Sequence, residues 1–96
     1  MQKGRQKNKV MLLSERYVSL LLIRLFESSV VKLNDLLDIV TSFRTLEALT
    51  DRMVDEGMIT KILESKSYKT TVLELTPKGR SVAEKLKEAQ NIFQSP

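Results

Sequence analysis

Four basic side chains alternate along the first ten residues, Lys3, Arg5, Lys7 and Lys9, with no acid among them. Closely spaced ammonium and guanidinium groups can neutralise successive phosphates of a polyanion and release its counterions. The whole chain carries 16 basic and 12 acidic residues, a net charge of +4, so the part beyond residue 10 holds 12 of each sign. The excess is a basic arm on a near-neutral body. The same composition also fits a solvated tail that only aids solubility.

Other chemistry is removed by composition. The chain has no His and no Cys. The commonest ligands for zinc and other transition metals are therefore missing, and no Ser–His or Cys–His nucleophile can be assembled. Gly4, Gly57 and Gly79 are too far apart for a phosphate-cradling loop. Acid pairs such as Asp55-Glu56 fall in stretches that read as solvated helix surface. The expectation is a non-enzyme without metal or cofactor. The longest apolar stretch, Val18 to Ile23 with Ser19 inside it, is far below the ~20 residues that span a bilayer. Val10 to Leu13 is too brief for a signal-peptide core. With no disulfide framework, a cytoplasmic location is expected. The Lys-rich, His-free composition points to an archaeal source.

At 96 residues the chain has the size of one domain. Its elements follow from periodicity and caps. Ser14 is positioned to cap a helix over 15–27, whose apolar residues wrap nearly all round it. Such a helix must be buried on most sides, which a chain this short achieves more readily with a partner subunit. Leu33, Leu36, Leu37 and Val40 mark a second helix over 33–40. Ser42 then caps a third helix over 43–56, closed by Gly57, with Leu46, Leu49, Thr50 and Met53 inward. Arg44, Glu47, Ala48, Asp51 and Arg52 face outward. Residues 58–63 and 70–76 have strand character and flank a polar tip, Glu64 to Lys69, so they read as a hairpin. Thr76-Pro77 opens a last helix, in which Val82, Leu86, Ala89 and Phe93 form a narrow coiled-coil-type seam.

Two motifs carry a resemblance. The run TLEALTDRMVDEGMI (45–59) resembles the recognition helix and first wing strand of MarR-like and PadR-like regulators. The run LELTPKGR (73–80) is similar to their second wing strand and the entry to their C-terminal helix. The resemblance covers residues 14–93. It implies an α+β, mainly α fold, a winged helix-turn-helix, with a basic arm at 1–13, the winged domain at 14–76, and a C-terminal dimerisation helix and tail at 77–96.

In such a fold the first turns of the third helix approach base edges in the DNA major groove. Here those turns present Ser42, Arg44, Thr45, Glu47 and Ala48, with Arg52 a turn further on. Arg44 can bond guanine O6 and N7, Glu47 can accept from cytosine N4, and Ala48 or the Thr45 methyl can meet a thymine methyl. At the wing tip, Lys66, Ser67, Tyr68 and Lys69 suit phosphate or minor-groove contacts, although lysines there could equally protect an edge strand. Lys32, at the start of the second helix, is a further phosphate candidate. Against this, the third helix holds four acids and two bases.

The last helix resembles the dimerisation helix of PadR-like and related small archaeal regulators, which makes Val82, Leu86, Ala89 and Phe93 the expected dimer interface. The alternative is a seam folded back on its own domain. A two-fold dimer implies a palindromic double-stranded DNA site. The leading expectation is a dimeric transcriptional regulator, a repressor acting by occlusion. A plasmid or viral partition adaptor that spreads along DNA fits the same features. So does a winged helix used to bind another protein, which the acidic third helix favours. RNA is a poorer fit, since Tyr68 is the one candidate stacking platform outside the expected core.

Overall fold

In the computed structural model, the residues described are 12–13, 15–64 and 70–95. Helix α1 spans Val18–Ser28, strand β1 Val30–Lys32, and a 3-10 helix Leu33–Asp38. Helix α2 follows at Phe43–Asp55, strands β2 and β3 at Ile59–Glu64 and Thr70–Leu75, and helix α3 at Pro77–Gln94. The three strands form one antiparallel sheet in the order β1-β3-β2. Val31 pairs with Leu73 and Lys61 with Leu73 from the other side, so β3 is the centre of the sheet.

Helix α2 forms where its caps and periodicity place it. The Ser42 side chain accepts a hydrogen bond from the Thr45 amide at 3.3 Å, satisfying one of the helix's unpaired first-turn donors. Leu46, Leu49, Thr50 and Met53 are buried. Thr50 is a polar residue on that face, and its hydroxyl is satisfied by the Leu46 carbonyl oxygen at 2.9 Å. Gly57, at φ 77°, supplies the left-handed residue that ends the helix and turns the chain into β2.

The entry to α3 is a joint. The Thr76 hydroxyl accepts from the Gly79 amide at 2.9 Å and lies 2.5 Å from the Gly57 carbonyl oxygen. The Thr76 amide donates to the Met58 carbonyl at 3.0 Å. One threonine thus caps α3 and ties it to the turn that follows α2. Pro77 occupies the first helical turn, where a missing amide hydrogen costs nothing.

Three expectations from sequence are corrected. The first helix begins at Val18 rather than residue 15, because Leu12 takes a place in the core, only 1% exposed. The chain then turns through Glu15 and reverses at Tyr17, which sits at φ 90° as the residue before the helix. Ser14, the expected cap, lies outside the described residues. Leu12 and Leu13, assigned to the arm, form a helical turn, so the folded part includes them. Second, the segment expected as a helix over 33–40 is a 3-10 helix ending at Asp38. Its three-residue repeat sets Leu33 and Leu36 on one buried side. Third, α1 needs less outside cover than its composition implies. The sheet and α3 pack on it from within the chain and bury Val18, Leu21, Leu22, Ile23 and Leu25, leaving Leu20 49% exposed.

Strand β1 is an element that the sequence pattern did not announce. Its three residues alternate exposed, buried, exposed, and it pairs along β3 to widen the hairpin into a sheet. Behind it, Arg24 of α1 holds Asp38 with Nη1–Oδ2 at 3.1 Å, and its Nη2 donates to the Asp35 carbonyl at 3.3 Å. That clasp fixes the 3-10 helix against α1 and so sets the platform from which α2 starts.

Candidate nucleic-acid interface

The buried face of α2 determines what its other face can offer. With Leu46, Leu49, Thr50 and Met53 inward, the roughly 100° step per residue sends Arg44, Thr45, Glu47 and Ala48 outward on the first two turns. All four are exposed, as is Ser42 at the cap. The sequence-derived recognition residues therefore share one continuous surface. Among the described residues Arg44 has no ion-pair partner and no side-chain hydrogen bond.

Arg52 is different. Its Nη1 lies 3.0 Å from Glu15 Oε2, on the turn leading into α1. This pair is partly exposed, so it contributes less than about 1 kcal/mol to folding. Its larger consequence is to hold Arg52 back towards its own chain. Replacing the carboxylate, Glu15→Gln, is expected to leave the unfolding midpoint nearly unchanged and to raise DNA affinity a few-fold. Paired thermal and anisotropy measurements check this, and unchanged affinity would take Arg52 off the contact surface.

The acidity of α2 is also redistributed. Asp51 is engaged by Lys61 of β2, with Nζ–Oδ1 at 2.6 Å. Asp55 and Glu56 sit at the far end of the helix, around a small concavity shared with Leu12 and Arg52. The start of α2 is thus spared most of the negative charge, and of the four acids Glu47 alone lies within its first two turns.

Beside that start lies a polar cleft of about 370 Å³, bounded by Lys32, Asn34 and Asp35, by Phe43, and by Thr70 and Thr71 of β3. It brings Lys32, a sequence-derived phosphate candidate, next to the first residue of α2 and to the tip end of strand β3. Phe43 is 46% exposed there. Sequence spacing gave no sign of this grouping, since it depends on β1 and β3 being paired through Lys32 and Val72. The hairpin-tip residues Lys66, Ser67, Tyr68 and Lys69 and the arm residues Lys3, Arg5, Lys7 and Lys9 lie outside the described residues. Glu64 and Thr70, which pair with each other, are the two ends that the tip joins.

The seam residues of α3 divide. Gly79 and Ala83 are buried against the rest of the chain, and Val82 and Leu86 are half-buried at the edge of the core. Ala89 is exposed and Phe93 is 89% exposed. No helix among the described residues is long and apolar enough to cross a membrane.

No protein-family model and no curated protein sequence matches the chain. Solved structures do. A transcriptional regulator homologue from Pyrococcus horikoshii OT3 superposes with a TM-score of 0.72 at 16% identity, covering 97% of this chain and 94% of that one. The chain has the winged-helix fold. Reduced AbfR bound to DNA aligns at a TM-score of 0.65 and 22% identity, over 94% of this chain and 66% of AbfR. A mutant MarR from E. coli complexed with operator DNA aligns at 0.63 and 18%, over 94% and 71%. Within the winged helix, α2 is the second helix of the helix-turn-helix, β2 and β3 are the wing, and β1 is the short strand that completes the sheet.

Proposed function

We propose that this protein is a sequence-specific double-stranded DNA-binding protein. It acts as a dimeric transcriptional regulator, a repressor that occludes a palindromic site. The observation that carries the reading is the exposed start of α2, where Ser42, Arg44, Thr45, Glu47 and Ala48 project together from a helix braced on its other face. A helix about 10–12 Å across enters a major groove, and its first turns are the part that reaches base edges. Structures of the same fold have been determined with DNA, in AbfR and MarR. Lys32 beside the cleft, the tip lysines Lys66 and Lys69, and the arm then supply the phosphate contacts that orient the helix without reading sequence. No catalytic step is part of this role.

A second reading is a winged helix that docks on another protein. The exposed acids Asp51 and Asp55 on the later turns of α2 favour it. The two readings separate in one titration. Binding to random duplex, followed by fluorescence anisotropy across a salt series, is expected to weaken steeply as salt rises. Deleting residues 1–10 is expected to reduce the slope of log K against log salt by roughly 3–4 per chain, about 0.9 for each of four lost phosphate contacts. Failure to bind duplex at low salt would overturn the DNA reading in favour of a protein partner.

A further inference from the structure

Phe43 stands at the very start of α2, yet neither the core nor the outward face accounts for it. It is 46% exposed and belongs neither to the buried cluster nor to the half-buried residues packed around it. One position before Arg44, it lies a step of roughly 100° back around the helix. Instead of joining Arg44 on the outward face, it borders the cleft with Lys32, Asn34 and Asp35 and with Thr70 and Thr71. An exposed phenyl ring thus stands beside an ammonium group and several hydrogen-bonding groups.

The sheet explains why the cleft is open. Strand β1 ends at Lys32, opposite Val72, whereas β3 extends two residues further towards the hairpin tip, where it pairs with β2. At Thr70 and Thr71 the other edge of β3 therefore borders the cleft. A strand edge offers backbone donors in addition to the threonine hydroxyls.

We propose that the cleft seats one nucleotide of the DNA backbone and selects deoxyribose over ribose. The C2′ methylene of the sugar rests on the Phe43 ring and an adjoining phosphate on Lys32. This rests on the DNA reading above and adds a sugar-reading residue to it. In that reading Arg44, Thr45, Glu47 and Ala48 face the major groove and the wing approaches the neighbouring groove. A sugar–phosphate strand separates neighbouring grooves, and the cleft lies between α2 and the wing strand β3.

The chemistry agrees with the position. The DNA backbone alternates an anion with an apolar sugar edge, and the lining sets a cation and donors beside an aromatic ring. Asp35, an acid on the same rim, disfavours a phosphate on its own side, so the anion belongs at Lys32. Ribose carries a hydroxyl at C2′, the group by which a protein tells RNA from DNA at a given site. Against the ring that hydroxyl loses water and gains no hydrogen bond.

The test places ribonucleotides one at a time through a duplex selected from a randomised pool, with affinity followed by anisotropy. At one position of the contacted strand the parent is expected to lose about tenfold, the scale of a hydroxyl buried without a partner. Phe43→Ala is expected to bind the two duplexes equally at that position, which assigns the loss to the ring rather than to an altered sugar pucker. Phe43→Gln, whose amide can bond the hydroxyl, is expected to bind the ribonucleotide duplex at least as well as the parent duplex. Both variants are expected to keep the unfolding midpoint, since the ring lies outside the core. Lys32→Ala is expected to weaken both duplexes alike and to lower the slope of log K against log salt by about 0.9. A parent with no sugar-sensitive position would overturn the proposal and leave the DNA reading standing. So would a sensitive position that persists in both Phe43 variants. Failure of the parent to bind any duplex at low salt would overturn both.

Discussion

Gly79→Ala is expected to destabilise the fold by about 3–5 kcal/mol, lowering the unfolding midpoint by 12 °C or more for a domain of this size. A β-carbon at position 79 would stand 1.9 Å from the Met58 carbonyl oxygen and 2.8 Å from its carbon. Both are backbone atoms at the end of the α2–β2 turn, so no flexible side chain can swing aside. Relief requires α3 to move away as a body. That motion would break the hydrogen bond that the Thr76 amide donates to the Met58 carbonyl and open the contact of the Thr76 hydroxyl with Gly57. It would also lift Ala83, fully buried one turn on. Total stability for a chain of this length is about 5–14 kcal/mol, so the loss is a large share of it. Gly57→Ala is the control. Its β-carbon would meet only the Lys78 side chain at 3.8 Å, and the cost comes from holding alanine at φ +77°, about 1 kcal/mol. Urea unfolding of the two variants separates close approach from backbone conformation. Equal losses would remove the packing argument.

Arg44→Ala is expected to weaken binding to the preferred DNA site by about 1–3 kcal/mol, a factor of roughly 5–150, and to relax preference at one base position. The side chain is exposed and without a partner among the described residues, so its removal should leave the unfolding midpoint where it was. Selection of sites from a randomised pool, followed by anisotropy on the winning and a mismatched duplex, measures both effects. A uniform loss across all sequences would make Arg44 a phosphate contact instead. No loss would remove it from the interface.

These two residues stand on opposite sides of what is legible in sequence. Arg44 was placed by arithmetic. The inward spacing of Leu46, Leu49, Thr50 and Met53 fixes the opposite face, and the structure buries those four. Nothing in the local spacing explains Gly79, and its reason is a contact with a residue 21 positions earlier. Arg52 shows the same limit. Its outward direction followed from periodicity, whereas its pairing with Glu15 joins residues 37 apart.

The sequence alone determined α2 with its Ser42 cap and Gly57 stop, the two wing strands to within a residue, and the Thr76-Pro77 start of α3. These depend on interactions within a few positions, where side chains three or four apart share a helix face and alternate residues share a sheet face. Tertiary structure decided the rest. Strand β1 is three residues long and becomes a strand only because β3 offers it an edge. Residues 33–38 form a 3-10 rather than an α-helix in the short span between β1 and α2, with Leu33 and Leu36 buried in the core and Arg24 of α1 clasping Asp38. The start of α1 shifts to Val18 because burying Leu12 outweighs one more helical turn. Each of these outcomes is set by burial against a distant segment, and that energy has no signature in local spacing.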